Sequence, residues 1–291
     1  MLDSETATLT ASLTVDRIAE EADYAVVGPH DTRTQVLSTM RPPFSAICHL
    51  SLDLGRLRSG CTGFMVAPTI GMTAAHCLHS RLRQRVGGPV TPHGIMVAPG
   101  RNGATSMPFG RAPACAWWAH ERFVSHRDPA FDIGLFVVER PFARRPGTLR
   151  PQALSNAALN ALRRQGLLHI SGYPGDKPLG TQWQHAEALR QVNGNILRYT
   201  VDTCPGHSGS PVWTRDTRGR DVVVGIHTGG PTRSQDGRAW GCAPGVPVAP
   251  RGLTNRGVRI TEMFLAACRQ LARGETPTGF VRLRTGCRSA T

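Results

Sequence analysis

Short apolar runs separated by polar, glycine- and proline-rich turns recur along most of the chain. Ala46–Leu52, Thr62–Ala67, Gly94–Val97, Asp132–Val138, Leu168–Gly172 and Val222–His227 have the length and bounding residues of buried strands. Residues 186–202 read as a hairpin turning at Asn193-Gly194, a dipeptide that two-residue hairpin turns prefer. Residues 209–227 read as another, turning near Arg218-Gly219. One long helix is expected. Phe264, Ala267, Cys268 and Leu271 recur at helical intervals, and Gly274 follows as a stop. Many short strands and one terminal helix predict an all-β fold, either paired antiparallel barrels or a sandwich.

Composition narrows the class. The 291 residues are enough to bury a core without help from a metal or a disulfide. Hydrophobic residues make up 40% and charged residues 19%, which excludes a disordered chain. No apolar run approaches the roughly 18 residues of a membrane-spanning helix. The 32 glycines and 22 prolines fit a turn-rich β protein.

The formal net charge is +14, and Lys177 is the single lysine, so the positive charge is almost all arginine. Residues 1–23 carry Asp3, Glu5, Asp16, Glu20, Glu21 and Asp23 against Arg17, a net −5 that leaves +19 on the rest. This segment reads either as a solvated tail or as an acidic propeptide removed before the basic body acts. The arginines are scattered and no helix-turn-helix or base-stacking motif is present, so no nucleic-acid partner is expected. A basic surface fits acidic substrates, acidic surfaces or solubility better.

Eight cysteines permit four disulfides, and none sits in a Cys-x-x-Cys pair, which argues against a zinc ribbon or a thioredoxin-type site. An oxidising compartment is favoured, hence a secreted or periplasmic location. Residues 1–21 show neither the basic start nor the apolar run of a secretory signal. Export therefore needs a signal outside this sequence or another route; otherwise the chain stays inside the cell.

Three segments carry candidate chemistry: Thr73-Ala74-Ala75-His76-Cys77, Phe131-Asp132-Ile133-Gly134-Leu135 and Gly206-His207-Ser208-Gly209-Ser210-Pro211. A serine hydroxyl is a poor nucleophile at neutral pH. It needs a base to take its proton and a buried carboxylate to fix the tautomer of that base. His76 suits the base, Asp132 the carboxylate and Ser208 the nucleophile. Gly206 and Gly209 permit a tight turn that aims the amides of Gly206 and Ser208 at one point, as an oxyanion hole requires.

With these motifs the chain resembles the chymotrypsin-like serine endopeptidases, and more narrowly the bacterial glutamyl endopeptidases. The likeness runs over roughly residues 26–265. It includes Val26-Val27-Gly28-Pro29, Pro99-Gly100-Arg101-Asn102-Gly103, Gly172-Tyr173-Pro174-Gly175-Asp176-Lys177, Gly180-Thr181-Gln182-Trp183, Gly225-Ile226-His227-Thr228 and Asn255-Arg256-Gly257-Val258-Arg259. The resemblance implies two six-stranded antiparallel β-barrels with the active site in the cleft between them, followed by a C-terminal helix. It places a protease domain at 26–274, an N-terminal segment at 1–25 and a tail at 275–291. It also implies disulfides Cys61–Cys77 and Cys204–Cys242. Cys48, Cys115, Cys268 and Cys287 are left with three pairings, of which Cys268–Cys287 is favoured as a tie for the tail.

The same resemblance bears on specificity. In the glutamyl family a His and a Thr hold the acidic side chain of the substrate, and His227 and Thr203 stand at the matching positions. Val26 matches the N-terminus that the family frees by cleavage, here after Ala25. Asp202 stands where trypsin-like enzymes keep the acid that binds Arg or Lys. It is read as structural or turned away, with cleavage after Arg or Lys as the alternative. His207 replaces the acid that trypsin-like zymogens place before the nucleophile. The expected partners are protein or peptide substrates, acted on by a monomer without metal or cofactor. An inactive homologue used as a binding module is the alternative from another class.

Overall fold

The computed structural model describes residues 30–79, 91–231, 242, 248–250 and 252–286. Val26, the 1–25 segment and Cys287 lie outside the described residues.

Sixteen strands occur among the described residues, in two sheets. The first holds β2 (Ile47–Asp53), β3 (Arg58–Met65), β4 (Ile70–Thr73), β5 (Gly94–Pro99), β6 (Ala112–His120), β7 (Gly134–Val138) and β16 (Phe280–Arg284). Their order is β16-β6-β5-β2-β3-β4-β7, and an extra β6–β7 pairing closes six of them into a barrel. β3 is exposed where it starts and buried from Cys61 onward, as the strand runs toward the other sheet.

The second sheet holds β1 (Thr34–Gln35), β8 (Arg150–Pro151), β9 (Leu168–Gly172), β10 (Trp183–Glu187), β11 (Leu189–Asn193), β12 (Ile196–Tyr199), β13 (Pro211–Arg215), β14 (Asp221–Gly229) and β15 (Asn255–Arg259). Its path is β1-β10-β9-β13-β14-β15-β12-β11, with β8 parallel to β14. β10 and β11 stand near opposite ends of this path yet are separated in sequence by Ala188 alone, so the path returns on itself through the chain. β14 pairs with β13 and β15 and is buried along nearly its whole length, which is why it reads as a continuous apolar run.

Leu50, Phe64, Met72, Val97, Trp117 and Phe136 fill the first barrel. Leu159, Leu168, Ile170, Leu197, Val212 and Val224 form a second cluster against the second sheet. The first cluster continues through Tyr173, Trp213, Ile226 and Val258, so part of the second sheet packs onto the first barrel. No helix among the described residues is long and apolar enough to cross a membrane.

Four details differ from the sequence reading. The hairpin of β11 and β12 turns at Gly194-Asn195, because Asn193 already pairs with Ile196. Gly194 has φ +57, the left-handed conformation that a two-residue turn needs at its first position. A second sizeable helix, Asn156–Gln165, is started by Ser155, whose hydroxyl accepts from Ala158 N. The 275–291 segment is not merely a tail, because β16 adds to the first sheet beside β6.

Finally, Cys268 is a free thiol, which overturns the Cys268–Cys287 pairing, and Cys115 is disulfide-bonded. The reason is directional. β16 runs along β6, which carries Cys115, and brings Gly286 against the Cys115 carbonyl. Cys268 instead packs from the helix Glu262–Ala272 against the core, and Cys48 is also free and buried.

Candidate active site

Each of the three candidate residues sits at the end of a different local structure. β4 ends at Thr73, the chain extends through Ala74, and His76 lies in the short helix Ala75–Leu78. Asp132 follows the 3-10 turn Pro129–Phe131, which the Asp128 carboxylate starts by accepting from Ala130 N. The aromatic rings of His120 and Phe264 pack on Phe131, so the C-terminal helix and β6 steady this turn. Ser208 lies in a tight loop before β13. That loop is held by His207 N to Cys204 O at 3.0 Å, Ser210 N to His207 O at 2.9 Å and Gly209 N to His227 O at 2.8 Å.

The fold brings the three together. His76 Nδ1 donates to Asp132 Oδ2 at 2.7 Å, and His76 Nε2 meets Ser208 Oγ at 2.7 Å. Asp132 Oδ1 also accepts the His76 backbone N–H at 2.9 Å, so one carboxylate fixes both the ring and the chain that carries it. With the proton on Nδ1, the lone pair of Nε2 faces the serine hydroxyl. The Asp132 side chain is 9% exposed and that of His76 27%, so the carboxylate is sheltered and the imidazole borders solvent. The Cys61–Cys77 disulfide ties β3 to the helix that carries His76.

Gly206 has φ +99, and a side chain there would drive into the Tyr173 carbonyl oxygen. Only glycine fits this turn without strain. His207 is buried, and Cys204 N donates to its Nδ1 at 3.1 Å. Burial, followed by the nearby Arg33, lowers its pKa to about 3. It is therefore a neutral brace of the loop and not a partner for a terminal amine.

His227, on β14, and Thr203 are both fully buried. His227 Nδ1 lies 2.8 Å from the Tyr199 hydroxyl. Burial, with His207, His76 and Arg256 close by, holds the His227 pKa well below the usual histidine range. Burial likewise keeps the Tyr199 hydroxyl protonated. Thr203 Oγ1 has no hydrogen-bond partner among the described residues. Thr203 is followed by the Cys204–Cys242 disulfide.

Asp202 faces elsewhere. Its Oδ2 accepts Thr32 N at 3.0 Å and Thr32 Oγ1 at 2.6 Å. Asp202 N in turn donates to His185 Nδ1 at 2.7 Å, and Thr32 Oγ1 lies 3.0 Å from His185 Nε2. Next to it, the buried Arg33 guanidinium bonds Asp31 and Asp176, and Lys177 Nζ bonds Asp31 at 2.8 Å. Burial opposes ionisation of Asp31, but its bonds to Arg33 and Lys177 outweigh that and hold its carboxyl well below the usual range.

Sequence reasoning missed Thr32, Arg33, Thr62, His185 and Tyr199. Arg33 alone had a signal, since its partner Asp176 lies in the Gly-Tyr-Pro-Gly-Asp-Lys run. Among the described residues no group of three or more His, Cys, Asp or Glu side chains is placed to hold a metal ion.

A family profile described as "Trypsin-like peptidase domain" matches residues 61–226. The chain is similar to a glutamyl endopeptidase of Bacillus licheniformis, with 32% identity over 210 residues, 71% of this chain and 61% of that protein. It is similar to a Bacillus subtilis protein named extracellular metalloprotease, with 31% identity over 69% of this chain and 61% of that protein. The chain thus spans about 61% of the length of these curated relatives. A solved structure titled "Structure of Glu endopeptidase in complex with MPD" shares the fold, with a TM-score of 0.64 at 22% identity, over 86% of this chain and 100% of that one.

Proposed function

Since the chain belongs to the trypsin-like peptidase family, we propose that it is a serine endopeptidase that cuts peptide bonds after glutamate. The observation that carries this reading is the position of His76, 2.7 Å from both Asp132 and Ser208. Ser208 Oγ attacks the peptide carbonyl while its proton passes to His76 Nε2, and Asp132 stabilises the resulting imidazolium. The amides of Gly206 and Ser208 bond the carbonyl oxygen as it becomes negative. His76 then gives the proton to the leaving amine. A water, deprotonated by the same imidazole, hydrolyses the acyl-enzyme and restores the Ser208 hydroxyl. Each step uses this chain's side chains, its backbone amides and water.

Glutamate preference is supported by the residues around the site. His227 and Thr203 supply hydrogen-bond donors suited to a carboxylate. In this reading the Tyr199 hydroxyl, 2.8 Å from His227 Nδ1, donates to it and leaves the imidazole proton on Nε2. Asp202, which would repel an acidic substrate and attract a basic one, is engaged by Thr32. Residues 1–25 act as a propeptide in this reading. The docking of Thr32 on Asp202 and of Arg33 on Asp176 supports it, because this holds residues 32 and 33 close to the Ser208 loop. Disulfides Cys61–Cys77 and Cys204–Cys242 support an oxidising, extracellular setting.

The test is a cleavage-site map. The chain starting at Val26, the uncut chain and Ser208→Ala are each incubated with a denatured protein mixture, and the residue before each cut is read by mass spectrometry. Cuts after Glu that vanish in Ser208→Ala are expected. Cuts after Arg or Lys would overturn the specificity, and full activity of the uncut chain would overturn the propeptide role.

A further inference from the structure

Thr62 lies in the first barrel, on β3, yet touches the loop of Ser208 on both sides. Its backbone N donates to Ser208 O at 2.8 Å, and its Oγ1 donates to Gly206 O at 2.7 Å. The direction of the side-chain bond is fixed, because the same Oγ1 accepts Tyr173 N–H at 3.0 Å and so turns its own proton toward the carbonyl. Thr62 is fully buried, and Thr73 Oγ1 bonds its carbonyl at 2.7 Å. Its neighbour Cys61 is bridged to Cys77, the residue after His76.

Peptide groups are planar, so holding a carbonyl holds the whole unit. Thr62 thereby fixes the 206–207 and 208–209 peptides. Between them lies the 207–208 peptide, which carries the Ser208 N–H. Gly206, at φ +99, has no side chain to restrict its rotation, so the orientation of its carbonyl needs an outside hold. A β-branched residue with a stiff first torsion is suited to give one.

We propose that Thr62 is a positioning residue that, from the first barrel, sets the oxyanion hole carried by the loop before β13. This rests on the serine-peptidase reading above. It predicts that Thr62 acts on the transition state and leaves substrate binding alone. The bond matters when charge develops on the substrate oxygen and the Gly206 and Ser208 amides must already point at it.

The experiment compares the parent with Thr62→Val, which keeps the shape and loses the hydroxyl, and Thr62→Ser, which keeps the hydroxyl. Three quantities are read: kcat and KM on a Glu-containing peptide, the affinity for a peptide boronate that forms a tetrahedral adduct with Ser208, and the affinity for a product peptide ending in Glu. For Thr62→Val, kcat should fall on the order of ten- to a hundredfold with KM within about twofold. Boronate affinity should fall in parallel with kcat while product-peptide affinity holds, and Thr62→Ser should recover most of the loss. Unchanged kcat with a lowered melting temperature would overturn the proposal, as would equal losses for boronate and product peptide. If Thr62→Val fails to fold, Thr62→Ala, which leaves room for a water, should show the same split at smaller size. Failure of the parent to react with a fluorophosphonate at Ser208 would overturn the peptidase reading itself, and the Thr62 proposal with it.

Discussion

Thr32 holds Asp202 with two donors, its backbone N–H at 3.0 Å and its hydroxyl at 2.6 Å, across 170 residues of sequence. The Asp202 side chain is 1% exposed. A buried carboxylate that is hydrogen-bonded in this way is expected to serve the architecture and not the substrate. The expected outcome for Asp202→Asn is therefore a glutamate-to-arginine preference, measured as a ratio of kcat/KM values, that moves by less than about threefold. Thr32→Val should leave the preference alone and lower stability by about 1–3 kcal/mol, because the buried carboxylate loses the shorter of its two bonds to Thr32. Denaturant unfolding monitors the second effect.

Tyr199 is expected to matter for glutamate and not for catalysis in general. Tyr199→Phe removes the hydroxyl that bonds His227 Nδ1 and frees the imidazole to take the other tautomer. One hydrogen bond contributes about 0.5–1.5 kcal/mol, so kcat/KM for a glutamyl peptide should fall by up to about tenfold. A neutral peptide cleaved by the same enzyme should change little. Equal losses on both substrates would place Tyr199 in the core alone.

Gly206→Ala tests the turn directly. At φ +99 an alanine is strained, and its methyl group would meet the Tyr173 carbonyl. The loop must shift, which moves an oxyanion donor, and a lost donor costs about 10²–10³ in kcat. Near-normal kcat in a folded Gly206→Ala protein would show that the amides of this loop are not aimed at the substrate.

Stability should fall as the solution is acidified. His49, depressed to about 4 by burial and by Arg101, and His207, depressed to about 3 by burial and by Arg33, are neutral in the folded protein. The unfolded chain takes up protons on both from pH 6.5 downward, the ordinary histidine value, while the folded chain does not until about pH 4 and 3. The unfolded state therefore gains protons first, and stability is lost across that window. A tenfold difference in proton affinity between the two states is worth about 1.4 kcal/mol, so the two residues together account for several kcal/mol. Calorimetry between pH 7 and pH 4 should show a falling Tm, with a shallower fall in His207→Asn. A flat profile would mean that these histidines are not held neutral.

Much of the fold was legible. β2, β9 and β14 announce themselves as apolar runs between turns, and the C-terminal helix by Phe264 and Ala267, which are its buried residues. The helix Asn156–Gln165 carried weaker signals. Ser155 and Gly166 bracket it, yet Leu159 is its one buried residue, so its apolar face is narrow. β16 was not legible, because Phe280–Arg284 alternates only loosely and its place depends on the Trp117–His120 stretch of β6, which β5 leaves unpaired. The hairpin register was off by one residue, because Asn-Gly and Gly-Asn both satisfy two-residue turns and the pairing of Asn193 with Ile196 chooses between them.

The residue types of the candidate site were determined by the sequence alone. His76, Asp132 and Ser208 stand in segments whose local needs are visible in order: a helix start after a strand, a capped turn, and a loop that must contain glycine. Those needs are local, and local chemistry is written within a few residues. What surrounds the site was decided by the tertiary structure. Thr62 reaches Gly206 across 144 residues and Tyr199 reaches His227 across 28, each through a bond whose partners carry no mark of one another. Asp202 looked the same in sequence whether it lined a pocket or turned from it. Its direction came from Thr32, which the fold alone brings within hydrogen-bond range of a carboxylate buried too deeply to remain without a donor.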